Sequence, residues 1–301
     1  MKKFSNQAFR PLVEELLNDA FYLKNRSKRG KISTIRQYSE IIVRKILNSS
    51  EEDFVTLGNK KILIDIGLKS ENNTLLLKAL KNISKIGNKC THTQSIQKIT
   101  DKDIESVLKS LFELYSYLLI SYFERNRFGC NLKVVSSFSI LPPIIRYITL
   151  KYLYDNDPNN LMRIDKLSLS ILKSFDEEYA KEWLDERKNE LSSLISVNKE
   201  IIPDLEKKFG KEVAKLIVND APNMYDSCCD RIKNVSETID QKGRLYFDFE
   251  SAKSLYLEKG VLEGETEEVK DFNLIMEFLY LGRKVRKNEL LKEKDAYVVL
   301  S

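Results

Sequence analysis

Apolar side chains recur at spacings of three and four residues along most of the chain, which is the pattern of amphipathic helices. This pattern predicts a helix that starts near Pro11, a helix opened by Pro142-Pro143, and further helices at about 34–48, 74–86, 101–125, 161–174, 176–196, 204–219, 223–240, 252–257 and 270–287. Three short segments are ambiguous: 62–66 fits a strand or a helical turn, and 133–140 and 244–249 fit short strands. The sequence therefore predicts an all-α protein with one or two short strands.

Two of these helices have recognisable ends. Thr100 followed by Asp103 forms a capping box that starts the helix at 101–125. Apolar residues occupy most of the circumference of this helix, which predicts that it is central in a bundle or lies at an interface. Gly87 is predicted to end the helix at 74–86, because glycine readily adopts the left-handed conformation after a helix.

The length of 301 residues, with 42% hydrophobic and 32% charged residues, is typical of a folded protein of about two domains. The segment Phe128-Gly129-Cys130-Asn131 favours a connector, so we predict an N-terminal bundle over 1–130 and a mainly helical domain over 131–301, with the boundary between 126 and 140. No apolar run reaches the roughly 18–20 residues of a membrane helix, and Met-Lys-Lys is followed by no apolar leader. We expect a cytoplasmic protein that does not contact a membrane.

Positive charge is concentrated at the beginning of the chain. Residues 1–36 contain nine Lys/Arg and three Asp/Glu, a balance of +6, so the rest of the chain contributes −1 to the total of +5. The densest cluster consists of Lys24, Arg26, Lys28, Arg29 and Lys31. Such a cluster favours contacts with nucleic-acid phosphates, and the alternative is a solvated loop between two helices.

The sequence contains a single histidine, His92, so any catalytic or zinc site that needs a histidine must use this residue. The four cysteines lack the short spacing of a zinc site, so neither a metal nor a cofactor is predicted, and the adjacent Cys228 and Cys229 fit two reduced thiols in a helix. Asn88 lies four residues before His92, so the two side chains share a face if that turn is helical. An isolated histidine of this kind is also consistent with a partly buried side chain bonded to a backbone carbonyl.

Two segments resemble the HEPN superfamily (higher eukaryotes and prokaryotes nucleotide-binding domains), in the branch found alone or attached to restriction subunits. They are Arg36-Gln37-Tyr38-Ser39-Glu40-Ile41-Ile42-Val43 and Ile86-Gly87-Asn88-Lys89-Cys90-Thr91-His92. The resemblance covers roughly 10–125. Catalytic members of this superfamily carry an arginine, a polar residue, three further residues and a histidine, and they dimerise and cleave RNA without a metal.

By this resemblance, Asn88 matches the polar position and His92 the histidine, whereas Gly87 occupies the position of the arginine. Lys85 or Lys89 could then supply the positive charge toward the phosphate. Arg36 and Glu40 match the superfamily's Arg-x-x-x-Glu helix as a supporting pair, although the spacing favours an exposed ion pair of Glu40 with Arg36 or Arg44 over a role in the site.

The resemblance implies an RNA-directed homodimer, specifically a metal-independent endoribonuclease in bacterial phage defence or in a toxin–antitoxin pair. The alternative is a non-enzymatic helical interaction module in which His92 is structural. In either case the C-terminal half is a candidate surface for a protein partner.

Overall fold

The computed structural model describes residues 3–92, 95–197, 202–244 and 246–286. Within these ranges the chain forms fifteen α-helices and no sheet, with one isolated bridge between Ile195 and Asn223. The prediction of an all-α protein is confirmed. In the part of the chain that the structure describes, no helix is both long and apolar enough to cross a membrane.

The helices in the first half are α1 (Asn6–Leu17), α2 (Lys28–Leu47), α3 (Lys60–Lys69), α4 (Thr74–Thr91), α5 (Asp101–Arg125), α6 (Leu132–Phe138) and α7 (Pro143–Asn156). Those in the second half are α8 (Leu161–Ser174), α9 (Glu177–Asp185), α10 (Lys188–Ser192), α11 (Ile202–Phe209), α12 (Lys211–Asn219), α13 (Met224–Lys242), α14 (Phe249–Leu255) and α15 (Glu267–Tyr280). Two π-helical turns, Asn18–Tyr22 and Tyr256–Gly260, follow α1 and α14.

The chain forms two compact units. The first takes its described residues from Met1–Asn126 and Leu257–Arg286, and the second takes them from Arg127–Tyr256. The chain therefore leaves the first unit within the predicted boundary region of 126–140. It returns to that unit at Leu257, so α15 packs with α1 and α5, although the sequence assigned it to the C-terminal domain.

Helix α5 is the centre of the first unit. Its capping box is present, because Asp103 Oδ2 accepts hydrogen bonds from the backbone nitrogen and Oγ1 of Thr100 at 2.8 and 2.6 Å, and the Asp103 backbone nitrogen donates to Thr100 Oγ1 at 3.2 Å. The helix packs against α2, α4 and α15, and Leu111, Leu114 and Leu119 are fully buried. Its nearly continuous apolar circumference is explained by these neighbours.

A buried polar network lies in this core. Tyr115 Oη donates to Tyr38 Oη at 2.8 Å, and Arg283 Nη2 donates to Tyr115 Oη at 3.2 Å. The Arg283 guanidinium also lies 4.6 Å from the centre of the Phe21 ring. Burial raises the pKa of Tyr38 well above its ordinary value, so its hydroxyl stays neutral in the core. The network ties the returning segment to α2 and α5.

The predictions of strands were wrong, and side-chain caps explain why. Asn131 Oδ1 accepts hydrogen bonds from the backbone nitrogens of Lys133 and Val134, which starts α6 in the segment 133–140. Asp248 Oδ1 caps α14 in the same way by accepting from the backbone nitrogen of Ser251, and the described part of 244–249 contains no strand. The segment 62–66 is helical and lies inside α3.

Several helices also begin or end at other residues than the sequence predicted. Helix α4 continues through Gly87 to Thr91, so the prediction that Gly87 ends it was wrong. Helix α2 begins at Lys28 because Ser27 Oγ accepts a hydrogen bond from the Gly30 backbone nitrogen at 3.0 Å. The predicted helices at 176–196 and 204–219 are each divided in two, the second of them at Gly210, which has a φ of +81°.

Candidate nucleic-acid interface

The candidate catalytic residues lie at the end of α4. Asn88 belongs to its last turn, and His92 caps it in an extended conformation, with its backbone nitrogen donating to the Asn88 carbonyl at 3.1 Å. Both side chains are exposed. His92 is therefore not the partly buried histidine of the alternative interpretation, and its ring is accessible to a ligand.

Arg29 joins the start of α2 to the segment that carries His92. Its guanidinium donates to the backbone carbonyls of Lys89, Ser95 and Gln97, the last two at 3.0 and 3.1 Å. These bonds cross from the first turn of α2 to both sides of His92. Arg29 was predicted as a phosphate contact, and in the structure its guanidinium holds the segment that carries His92.

The other residues of the basic cluster differ in their surroundings. Lys28 forms an exposed ion pair with Asp101 at 2.6 Å, and Arg26 bonds to Asp19 at 2.6 Å and to Thr34 Oγ1 at 2.8 Å. Lys24 is exposed in the connection before α2, and Lys31 is half-buried within the helix. The basic cluster therefore lies only partly in a loop: Lys24 and Arg26 precede the cap Ser27, and Lys28, Arg29 and Lys31 belong to the start of α2.

The position of these cations has an electrostatic consequence. Lys28, Arg29 and Lys31 lie at the N-terminus of α2, where the helix dipole already contributes about half a positive charge. The electrostatic potentials of these cations and of the helix end add there, and the end of α4 contributes the half-buried Lys89. Asp19 and Asp101 pair with Arg26 and Lys28, and the C-terminus of α4 is the negative end of its own dipole, so the positive charge is concentrated at the start of α2.

The structure explains the glycine at the position of the motif's arginine. A Cβ atom on Gly87 would lie 2.4 Å from Cδ of Arg36, so α2 and α4 approach closely at this point. Arg36 donates to the Leu57 carbonyl at 2.9 Å and lies 3.7 Å from Glu40, which accepts from the Leu57 backbone nitrogen at 2.9 Å. Arg36 and Glu40 are thus a half-buried pair that holds the connection between α2 and α3.

A cavity of about 710 Å³ lies between α3 and α4. Leucine and isoleucine side chains form much of its wall, and polar groups come mainly from α4; the lining residues are Leu63, Ile64, Gly67, Leu68, Asn72, Leu77, Lys81, Ser84, Lys85 and Asn88. Ile64 and Leu68 are 61% and 74% exposed at its edge. Lys85 and Asn88 therefore face this groove, whereas His92 is not among the residues that line it.

The cysteines of the chain are free thiols. Cys228 and Cys229 lie on α13, and burial raises the pKa of Cys228 to about 12, which keeps this thiol protonated at neutral pH. Among the described residues, no group of three His, Cys, Asp or Glu side chains is placed to hold a metal ion.

A second cationic group was missed in the sequence. Arg146, Lys166, Lys173 and Arg231 of the second unit act on each other electrostatically around Asp165. The signal that could have found it was the seven-residue spacing of Lys166 and Lys173 on the predicted helix 161–174, which places them two turns apart on one face. Arg146 and Arg231 lie on other helices, so no local pattern could connect them with α8.

No protein-family model matches this chain, and no curated protein or solved structure is significantly similar to it.

Proposed function

We propose that the first unit binds RNA at the end formed by the start of α2 and the last turn of α4, and that His92 transfers protons in a metal-independent cleavage of that RNA. The supporting observation is the set of hydrogen bonds from Arg29 to the carbonyls of Lys89, Ser95 and Gln97. They hold an exposed histidine beside a cationic helix start, where a phosphodiester is electrostatically attracted.

The chemistry is an internal transesterification. The ribose 2′-oxygen attacks the adjacent phosphorus, the bond to the 5′-oxygen breaks, and the products are a 2′,3′-cyclic phosphate and a 5′-hydroxyl. An imidazole with a pKa near neutrality accepts the proton of the 2′-hydroxyl or gives one to the leaving oxygen. Lys85 and Lys89 are the candidate lysines of α4 for the phosphate charge, but each supplies a point charge rather than the bidentate fork of an arginine.

One histidine supplies only one of the two proton transfers at a time. A homodimer with two-fold symmetry would bring a second His92 to the same site, as the resemblance implies. We propose that the first unit forms this dimer. Light scattering on the full chain at tens of micromolar, a rough working concentration for a typical dimer, should give twice the monomer mass, and a monomer would contradict the proposal.

The decisive experiment compares RNA cleavage by the wild-type chain and by His92→Ala in the presence of EDTA. Loss of a positioned proton donor or acceptor should slow cleavage by about 10²–10⁴-fold. Asn88→Ala should have a smaller effect, because an amide orients the phosphate but transfers no proton. Gln97→Ala is the matched control, since it removes an exposed side chain nearby and keeps the carbonyl that Arg29 uses.

If the wild-type chain leaves every tested RNA intact, or cuts it as fast as His92→Ala does, the catalytic proposal is wrong. The groove between α3 and α4 then favours the second candidate, a non-enzymatic interaction module. Its apolar wall and the cationic Lys81 and Lys85 fit an amphipathic partner helix that carries acidic residues beside its apolar face.

A designed amphipathic peptide with leucines on one face and glutamates beside them tests this second candidate. The full chain should bind it in a fluorescence-anisotropy titration, and Leu68→Asp should abolish binding because it places a carboxylate at the edge of the groove. Leu132→Asp is the matched control, because Leu132 is 64% exposed and belongs to the second unit. Equal weakening in the two variants would show that the groove is not the binding site.

A further inference from the structure

The two helices that line the groove between α3 and α4 contribute side chains of different chemistry. Helix α3 supplies the apolar Leu63, Ile64 and Leu68, whereas α4 supplies the cationic Lys81 and Lys85. Ile64 and Leu68 are large apolar side chains, yet they are 61% and 74% exposed. A ligand that covers them removes this apolar surface from water, which is favourable in proportion to the area covered.

The two lysines define the charge of a suitable ligand. They lie four residues apart on α4, so they are neighbours on one face of the helix. Both side chains are exposed, and within the part of the chain that the structure describes neither of them pairs with a carboxylate. Like charges at this spacing repel each other. An anion held between the two ammonium groups relieves that repulsion.

The dimensions of the groove fit a small molecule. Its volume of about 710 Å³ is within the range of about 300–1,000 Å³ that is typical of small-molecule sites. Its lining on α4 extends from Leu77 to Asn88, which is about 16 Å along the helix axis. An alkyl chain of about ten carbons with a terminal carboxylate fits within this length, because an extended chain advances by roughly 1.2 Å per bond.

We propose that this groove binds a small amphiphilic carboxylate, that is, an alkyl chain with one carboxylate at its end. The alkyl chain covers Ile64 and Leu68, and the carboxylate accepts hydrogen bonds from the ammonium groups of Lys81 and Lys85. Such a ligand matches the apolar and the cationic side of the groove at once. The inference is independent of the RNA proposal, and it gives the groove a small molecule instead of the partner helix of the second candidate function.

Calorimetric titration of the full chain tests this inference with three probes that share one alkyl chain: decanoate, decanol and decyltrimethylammonium, all at concentrations at which no micelles form. Decanoate should bind saturably and most tightly, because it carries both the apolar chain and the anion. Decanol should bind more weakly, since it lacks the charge. Decyltrimethylammonium should bind most weakly, because its positive charge repels the lysines.

Two variants separate the two sides of the groove. Lys81→Gln/Lys85→Gln should weaken the binding of decanoate by about tenfold, the effect of two exposed ion pairs, and should leave the affinity for decanol unchanged. Ile64→Asp should weaken the binding of both probes, because it places a carboxylate on the apolar side. The matched control is Lys61→Gln/Lys78→Gln, which removes two exposed charges from the same helices outside the lining and should leave binding unchanged.

Three results would overturn the inference. The first is that decanoate binds no more tightly than decyltrimethylammonium, or that the control double variant weakens its binding as much as the substitution of the two lining lysines does. The second is equal weakening by Ile64→Asp and by Leu132→Asp, an exposed position of the second unit, since the ligand would then bind elsewhere. The third is that the acidic amphipathic peptide binds in the groove and decanoate does not, which would make the groove a protein-docking surface.

Discussion

The two cationic regions of this protein contain the same residue types but differ in burial. At the start of α2, the ion pair of Lys28 with Asp101 has side chains that are 44% and 76% exposed. Exposed pairs contribute only about 0–1 kcal/mol, so a phosphate can readily replace the carboxylate. In the cluster on α7, α8 and α13, by contrast, Lys173 is 8% exposed and its pKa is lowered.

This difference teaches that burial, more than the number of charges, decides how the charge of a cationic region is compensated. Hydrated surface cations attract a polymer at long range, weakly and with strong dependence on salt. Buried cations have lost their water in the folded protein, so protein groups packed around them must compensate their charge. The predictions below test this contrast, beginning with the largest expected effect.

Replacement of the buried lysine should affect stability most. Lys173→Met should remove a pH-dependent part of the free energy of unfolding, because burial lowers the pKa of Lys173 and methionine does not titrate. Between its lowered folded pKa and its ordinary value of 10.5, Lys173 binds fewer protons in the folded state than in the unfolded state. Wild-type stability therefore rises with pH through that window, and this rise should be absent in the variant.

Urea unfolding at several pH values measures this effect. The exposed Lys233→Met provides the control, since it should leave the dependence of stability on pH unchanged. The same pH dependence in Lys173→Met and in wild type would show that Lys173 does not titrate in this window.

The second prediction concerns the cation that positions the histidine segment. Arg29→Ala should destabilise the first unit by about 2–3 kcal/mol, because hydrogen bonds from a charged donor contribute about 1.5–3 kcal/mol each and are not additive. Amide hydrogen exchange of residues 89–92 and 95–97 should become faster. Lys24→Ala, in the exposed connection before α2, should leave this protection intact. Unchanged exchange in Arg29→Ala would show that the segment is held by other contacts.

The third prediction concerns the close approach of α2 and α4. Gly87→Ala should cost about 1–2 kcal/mol, in the usual range for overpacking, because its Cβ would meet the Arg36 side chain. In the double variant Arg36→Ala/Gly87→Ala only the Cβ atom of position 36 remains near the new Cβ, at 3.2 Å, so the glycine substitution should there cost less than it does in the wild-type background. A double-mutant cycle from chemical unfolding measures this coupling, and strictly additive effects would contradict it.

The smallest effect belongs to the exposed cations. Replacing Lys24, Lys28 and Lys31 together with glutamine should reduce the dependence of RNA affinity on salt, by about 0.7–0.9 in the logarithmic slope for each phosphate that the protein no longer neutralises. The same substitutions at Lys60, Lys61 and Lys69 of α3 form the matched control, and they should leave the slope unchanged. Equal slopes for the two triple variants would show that the start of α2 does not touch the phosphates.

Features encoded by neighbouring residues were predicted well. The capping box of Thr100 and Asp103 and the bounds of α5 and α8 follow from local periodicity and local hydrogen bonds, and the structure reproduces them. The predicted strand at 133–140 failed because β-branched residues favoured an extended chain, whereas the Asn131 cap starts a helix there. Local preference is weak in such a short segment, and tertiary packing decides it.

Part of the candidate site was also accessible from the sequence. The sequence placed Asn88 and His92 four residues apart, shortly before α5. It also predicted the ion pair of Arg36 with Glu40, because residues four apart on a helix lie side by side. The sequence did not show why position 87 is a glycine. Its lack of a side chain makes room for Arg36, which is 51 positions away in the sequence and approaches only after α2 and α4 have packed.

The sequence by itself determined the helical class, the central helix α5 and the concentration of positive charge near the N-terminus, since these depend on periodicity, capping and composition. Only the tertiary structure decided that Arg29 holds the segment around His92, that Leu257–Arg286 returns to the first unit, and that four cations meet in the second. The physical reason is that these features join residues far apart in the chain. Their contacts, and the burial that sets the energies of their charges, exist only once the helices have packed.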